Sequence, residues 1–278
     1  MPHPVAYMPL GTYPDVLPDA AILAAAGFAR TLGHALHVST FSVDIPQIAP
    51  TLGVTLIDVP ELVREAEERS RAAAARLGKL VLGAQTGDFA VQLASHRLVL
   101  GAMLDAAASE ARYFDLALLP WTADSLTGTD LAQALVFGSG RPVLVVPQTT
   151  GAAPVNHLAI AWDESRVAAR ALGDALRLLP DGGRISVLTV RDEKKLGDET
   201  IAETLAVALQ RRGYQARAVT LALEGRTIAT ALQDRALAEG AGILAMGGFG
   251  HSRLRDFVLG GATRGVMEAV RLPVLLAH

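Results

Sequence analysis

Ile243-Leu244-Ala245-Met246-Gly247-Gly248-Phe249-Gly250-His251-Ser252-Arg253 is a short apolar run that opens directly into a glycine-rich loop. Nine residues separate Gly250 from Gly260-Gly261-Ala262-Thr263, where a final helix is expected, and Pro273-Val274-Leu275-Leu276-Ala277 closes the chain as another apolar run. The pattern reads as strand, glycine loop, helix, strand. Glycine lets backbone approach a ligand closely. A helix N-terminus adds unpaired N–H donors and partial positive charge. In a doubly wound sheet the carboxyl ends of the strands are where ligands bind.

Working outward, Leu158 to Trp162 is an apolar strand that stops at Asp163-Glu164-Ser165, a helix-capping signal. A helix over Val167–Leu179 ends at the turn Pro180-Asp181-Gly182-Gly183. Ile185–Val190 and Ala216–Leu223 read as strands, and Thr200–Gln210 and Ile228–Glu239 as helices. Nearly continuous apolar strands alternating with helices predict a parallel sheet covered on both faces. Five such strands make one doubly wound α/β domain over residues 151–278.

The first half repeats this plan in degraded form. Val5–Met8 and Ala35–Ser42 read as strands, Leu17–Leu32 as a helix, and Glu61–Leu82 as a long helix with no counterpart in the second half. Arg141-Pro142-Val143-Leu144 matches Leu272-Pro273-Val274-Leu275 at a distance of 131 residues, as a tandem duplication would place it. The boundary falls near Gln148–Ala153, giving domains 1–150 and 151–278. After Leu119 the first half has Pro120-Trp121-Thr122-Ala123-Asp124 and no glycine loop. The interval from Asp115 to Pro142 is 27 residues, against 31 from Gly242 to Pro273.

Composition narrows the function. The 278 residues are 51% hydrophobic and 19% charged, which excludes intrinsic disorder. No cysteine occurs, so zinc thiolates, iron–sulfur clusters and cysteine nucleophiles are excluded. The first 150 residues carry 9 basic and 14 acidic side chains, a net −5; the remainder carry 16 and 14, a net +2. Neither half has the basic excess of a nucleic-acid surface. No apolar run reaches the ~20 residues of a membrane span, and no signal peptide is read, so a cytoplasmic protein is expected. His34 and His37 are three apart but have no third ligand nearby in sequence, and a metal site is not expected. His251, Arg253, Arg255 and Arg264 are read as a solvated basic loop. No Walker A loop, no Gly-x-Ser-x-Gly elbow and no Gly-x-Gly-x-x-Gly after the first strand occurs.

The glycine spacing, the flanking strand and the closing Pro-Val-Leu resemble the universal stress protein family. The resemblance covers the second half and extends to the first as a degenerate copy. It implies two tandem doubly wound five-stranded parallel sheets, Rossmann-like and of the adenine nucleotide alpha hydrolase type, in strand order 3-2-1-4-5. It implies that the two fifth strands meet edge to edge, so that one chain mimics the family's dimer. It further implies ATP, with Mg²⁺, in the second half. Ala161, Asp163 and Val190 would hold the adenosine, and Gly247, Gly250, Gly260, Gly261 and Thr263 the phosphates. Gly261 departs from the family, which has Ser or Thr there, so one hydroxyl donor is lost. A homodimer of tandem chains and a protein partner are also expected. No nucleophile and base are assembled in the sequence, so binding or signalling is expected rather than turnover. The alternative is a nucleotide-independent interaction module. An adenylating enzyme is disfavoured, because neither first strand is followed by a Ser-Gly-Gly loop.

Overall fold

The computed structural model describes residues 4–46, 58–191, 200–248 and 261–278. Ten strands form one sheet in the order β3-β2-β1-β4-β5-β10-β9-β6-β7-β8. The first half supplies β1 (Val5–Gly11), α1 (Asp19–Thr31), β2 (Ala35–Asp44), α2 (Val59–Leu82), β3 (Val91–Val99), α3 (Met103–Ala111), β4 (Leu116–Trp121), α4 (Gly128–Gly138) and β5 (Val143–Pro147). The second supplies β6 (His157–Ala161), α5 (Arg166–Ala175), β7 (Arg184–Val190), α6 (Ile201–Arg211), β8 (Gln215–Leu221), α7 (Ile228–Ala238), β9 (Ile243–Gly247), α8 (Gly261–Glu268) and β10 (Val274–Ala277). A single 3-10 turn, Leu176–Leu178, extends α5.

Each half has the strand order 3-2-1-4-5, and pairing within each half is parallel. The halves join where β10 runs antiparallel to β5, with Val274 opposite Val145 and Leu276 opposite Val143. The two fifth strands do meet edge to edge. Each would otherwise leave a row of unpaired backbone groups facing outward. Both strands are completely buried, which explains their unbroken Val/Leu composition.

Apolar cores lie on both sheet faces. Leu10, Leu36, Leu118, Ile160 and Val187 point to one face, and Leu119, Val145, Leu188, Leu244 and Val274 to the other. Most of the filling is aliphatic, as the low aromatic content requires.

The structure corrects one expectation about the first half. The helix Glu61–Leu82 is not an additional element. It lies within α2, which connects β2 to β3, the place that α6 occupies between β7 and β8. It is an elongated crossover of 24 residues against 11. Strand β3 and helices α3 and α4 were not legible in the sequence. β3 is an edge strand whose outward positions include Gln92, Ser95 and Arg97, so it lacks the continuous apolar run of a central strand.

Candidate functional site

The direction of winding reverses between β6 and β9. From β6 the chain proceeds to β7 on one side, and β9 and β10 lie on the other. In doubly wound sheets ligands bind in the crevice outside the carboxyl ends of the strands at such a switch point. Ala161 ends β6, Val190 ends β7 and Gly247 ends β9, so three of the sequence-derived positions come to one edge of the sheet. The edge is pinned by backbone. Trp162 N–H donates to Leu188 O at 2.8 Å, and Thr189 Oγ1 donates to Trp162 O at 3.0 Å.

Asp163 sits in a tight turn immediately after β6. Its Oδ1 accepts from Ser165 N–H at 3.1 Å, and Ser165 Oγ accepts from Ala168 N–H at 3.2 Å to cap α5. Between them Glu164 adopts φ of +62°, a left-handed conformation uncommon outside glycine. The cap and the Asp turn hold this geometry in place. The N-terminus of α5 therefore faces the crevice with its partial positive charge, and Asp163 lies beside it.

Gly247 is required by packing. A Cβ built there would lie 2.6 Å from Val167 Cγ2 and 2.8 Å from Ala168 N, inside the first turn of α5. Only a residue without a side chain lets β9 end so close to that helix. Gly248 N–H donates to Ala277 O at 2.8 Å, and a Cβ there would meet Val136 Cγ1 of α4 at 3.2 Å. The first half thus walls one side of the glycine turn. Phe137 of α4 also meets the His278 ring edge-on at 4.9 Å, and Arg170 Nη2 donates to Gly140 O at 3.3 Å.

Gly261 is the first described residue of α8, and no described atom lies within 4 Å of its missing Cβ. Thr263, two residues on, is buried at 3% exposure. Gly250, Gly260 and the basic residues His251, Arg253 and Arg255 lie outside the described residues. Arg264 is exposed and pairs with Glu268 at 3.1 Å.

The same edge of the first half is built differently. Aligning the two Pro-Val-Leu strands through their partners places Pro120 where Gly247 stands and Trp121 where Gly248 stands. Following the pairings across to β1 and β6 places Gly11 where Asp163 stands. Trp121 is 5% exposed, and its indole lies against Gly128 at the start of α4. The connection from β4 to α4 runs over residues 122–127, and the sequence interval from Asp115 to Pro142 is four residues shorter than that from Gly242 to Pro273.

The His34 and His37 pair does not converge. His34 Nδ1 hydrogen-bonds Leu32 O at 3.0 Å, whereas His37 faces Glu110, its Nε2 3.6 Å from Oε1. Glu110 is the centre of a polar cluster that the sequence did not reveal. It accepts from Tyr7 OH at 2.9 Å and Ser39 Oγ at 2.8 Å, and His96 Nε2 lies 3.5 Å from its other oxygen. Burial and the Glu110 charge push the Tyr7 phenol well above its ordinary range. Among the described residues no group of three His, Asp or Glu side chains could hold a metal ion.

Comparison with known proteins agrees with this geometry. Residues 154–278 match the model of the universal stress protein family. No curated protein matches the chain. Among solved structures, a universal stress protein from Archaeoglobus fulgidus DSM 4304 is similar over 98% of this chain and 97% of its own, with a TM-score of 0.68 at 14% identity. A functionally unknown protein from Pseudomonas aeruginosa PAO1 is similar over 98% of this chain and 92% of its own, with a TM-score of 0.53 at 15% identity. These structural similarities, at such low identity, show a shared fold across both halves. No helix among the described residues is long and apolar enough to cross a membrane.

Proposed function

We propose, from the premise that residues 154–278 form a universal stress protein domain, that this domain binds ATP in the crevice between β6 and β9 and serves the cell's stress response as a binding or signalling module. The observation that carries the reading is the convergence of Ala161, Asp163, Val190 and Gly247 on one sheet edge, beside the α5 N-terminus. The chemistry of these groups fits the ligand. A carboxylate at Asp163 is an acceptor for ribose hydroxyls, with the ends of β6 and β7 alongside it for the base. Gly250 and Gly260, outside the described residues, are assigned with Gly261 and Thr263 of α8 to the phosphates, for which backbone N–H groups near a helix start are suitable donors. ATP carries the phosphoanhydride charge that such donors select. With no three-ligand acidic cage among the described residues, Mg²⁺ fits as an ion carried in by the triphosphate.

Turnover is not part of the proposal. No side chain of the described site pairs a nucleophile with a base, so the domain is read as a binder. The first half, with Pro120 and Trp121 in the positions of Gly247 and Gly248 and Gly11 in that of Asp163, is read as a degenerate universal stress protein domain over residues 1–150 that holds no nucleotide. Cytoplasmic location, a homodimer of tandem chains and a protein partner complete the proposal. Leu93, Val99 and Leu100 at the β3 edge and Val59 and Leu62 on α2 are exposed apolar side chains available for self-association.

Isothermal titration with ATP and Mg²⁺ tests the reading. One site per chain is expected, and two equivalent sites would overturn the assignment of the first half. Where wild type binds, Gly250→Val is expected to abolish binding; unchanged binding would remove the basis of the site. A second reading, a nucleotide-independent interaction module, is favoured by Gly261, which lacks the hydroxyl of its family counterparts. A thermal shift separates the two. Ligand at 100 times its dissociation constant adds about 2.7 kcal/mol, and no shift at millimolar ATP–Mg²⁺ would select the second reading.

A further inference from the structure

The opposite edge of the same five strands holds a second constellation. His157, Arg184 and Gln215 are the first residues of β6, β7 and β8, and they lie in register, His157 opposite Arg184 and Arg184 opposite Gln215. Residues in register on parallel strands point to one face. Two residues further on, Ser186 and Arg217 pair on that same face. Together with Gln210 of α6 they line a cavity of about 400 Å³. That volume lies within the range of small-molecule sites.

The cavity is electropositive. Arg217 and Arg235 both pair with Glu239, whose side chain is 4% exposed. Arg184 has no ion pair among the described residues. Arg184 and Arg217 line the cavity, and of these only Arg217 pairs with Glu239. The buried His157 imidazole, hydrogen-bonded to Ser186 Oγ at 3.0 Å, responds to this field. Burial first, and then the Arg184 and Arg217 charges, hold it below its ordinary range. Glu239 also accepts from Ser186 Oγ at 3.1 Å, so the hydroxyl is fixed at the wall of the cavity. Gln210 is held by its Nε2–H bond to Ala216 O at 2.8 Å.

We propose that this cavity is an anion site that takes the phosphate group of a small molecule, separate from the nucleotide crevice at the other end of the strands. Arginine forks match the oxygens of phosphate, and the amide of Gln215 adds a neutral donor at the rim. Arg184 is exposed and has no carboxylate partner among the described residues, so its guanidinium is open to an anion arriving from solvent. The volume exceeds that of phosphate alone and leaves room for a short organic stem.

The test is titration of the full chain, at constant ionic strength, with inorganic phosphate and with glycerol phosphate, for wild type and for Arg184→Gln. The variant is expected to fold as wild type does, since it breaks no ion pair. Wild type is expected to bind and Arg184→Gln to bind at least about tenfold more weakly, the loss of one charged hydrogen bond. Tighter binding of glycerol phosphate assigns the site to a phosphorylated metabolite, and equal binding assigns it to free phosphate. Absence of binding to wild type, or equal binding by the variant, overturns the proposal. ATP–Mg²⁺ titration of Arg184→Gln is expected to match wild type, so failure of the nucleotide reading and failure of this one give different results.

Discussion

Replacing Gly247 with alanine tests why the site has the shape it does. The new methyl carbon would stand 2.6 Å from Val167 Cγ2 and 2.8 Å from both Val167 C and Ala168 N. Ordinary contact begins at 3.4 Å, so β9 and the first turn of α5 must separate by 0.6–0.8 Å. Two of the three obstructing atoms are backbone, and rotation of a side chain cannot relieve them. Overpacking of this kind costs about 1–3 kcal/mol. For a chain of this size each kcal/mol lowers the melting temperature by roughly 2–4 °C, so a drop of about 2–12 °C is expected in scanning calorimetry without ligand. Gly261→Ala is the control. No described atom lies within 4 Å of its new methyl, so a change within about 0.5 kcal/mol is expected. A Gly247→Ala protein that melts with wild type would refute the claim that backbone packing dictates glycine there. Equal losses at the two positions would refute the distinction drawn between them.

Three further outcomes follow from the same reasoning. Gly261→Ser restores a hydroxyl at an uncrowded position, and titration should show ATP binding tightened by about tenfold or more; unchanged affinity would mean that the position does not face phosphate. Trp121→Ala empties a buried site and should cost about 3–5 kcal/mol in denaturant unfolding, yet create no second ATP site, because Gly11 still stands in place of an aspartate. His157 and His34 are both held below the ordinary imidazole range, chiefly by burial, so the native state binds fewer protons than the unfolded chain. Their contribution to stability is complete above about pH 6.5 and declines as pH falls through that value. Urea unfolding at pH 7.5 and 5.5 should show wild type losing more stability than His157→Asn; an equal loss would remove His157 from the linkage.

Much of the fold was legible because its strands are buried on both faces. β5, β9 and β10, and β6 after its first residue His157, are apolar runs with Gly, Pro or Asp close by, and local composition suffices to find such segments. β3 was not legible, because an edge strand carries polar residues on its open positions. α2 was recognised as a helix but misplaced in the topology, since its length concealed its equivalence to α6 while β3 went unread. At the site, Asp163, Gly247 and Gly261 stood out by type and spacing. The sequence could not say that Gly247 is dictated by α5, that Val136 of the other half walls the glycine turn, or that Trp121 fills the place of Gly248 in the first half.

What the sequence determined alone is therefore the periodic part: two copies of one α/β plan, an aliphatic core, and a glycine loop retained in only one copy. These depend on residues near one another along the chain, where propensity and burial act locally. Only the tertiary structure decided which residues meet across strands. The antiparallel β5–β10 seam, the Glu110 cluster and the Arg184–Arg217–His157 cavity each join residues far apart in sequence. Sheet register and crossover geometry set those meetings, and no local pattern encodes them.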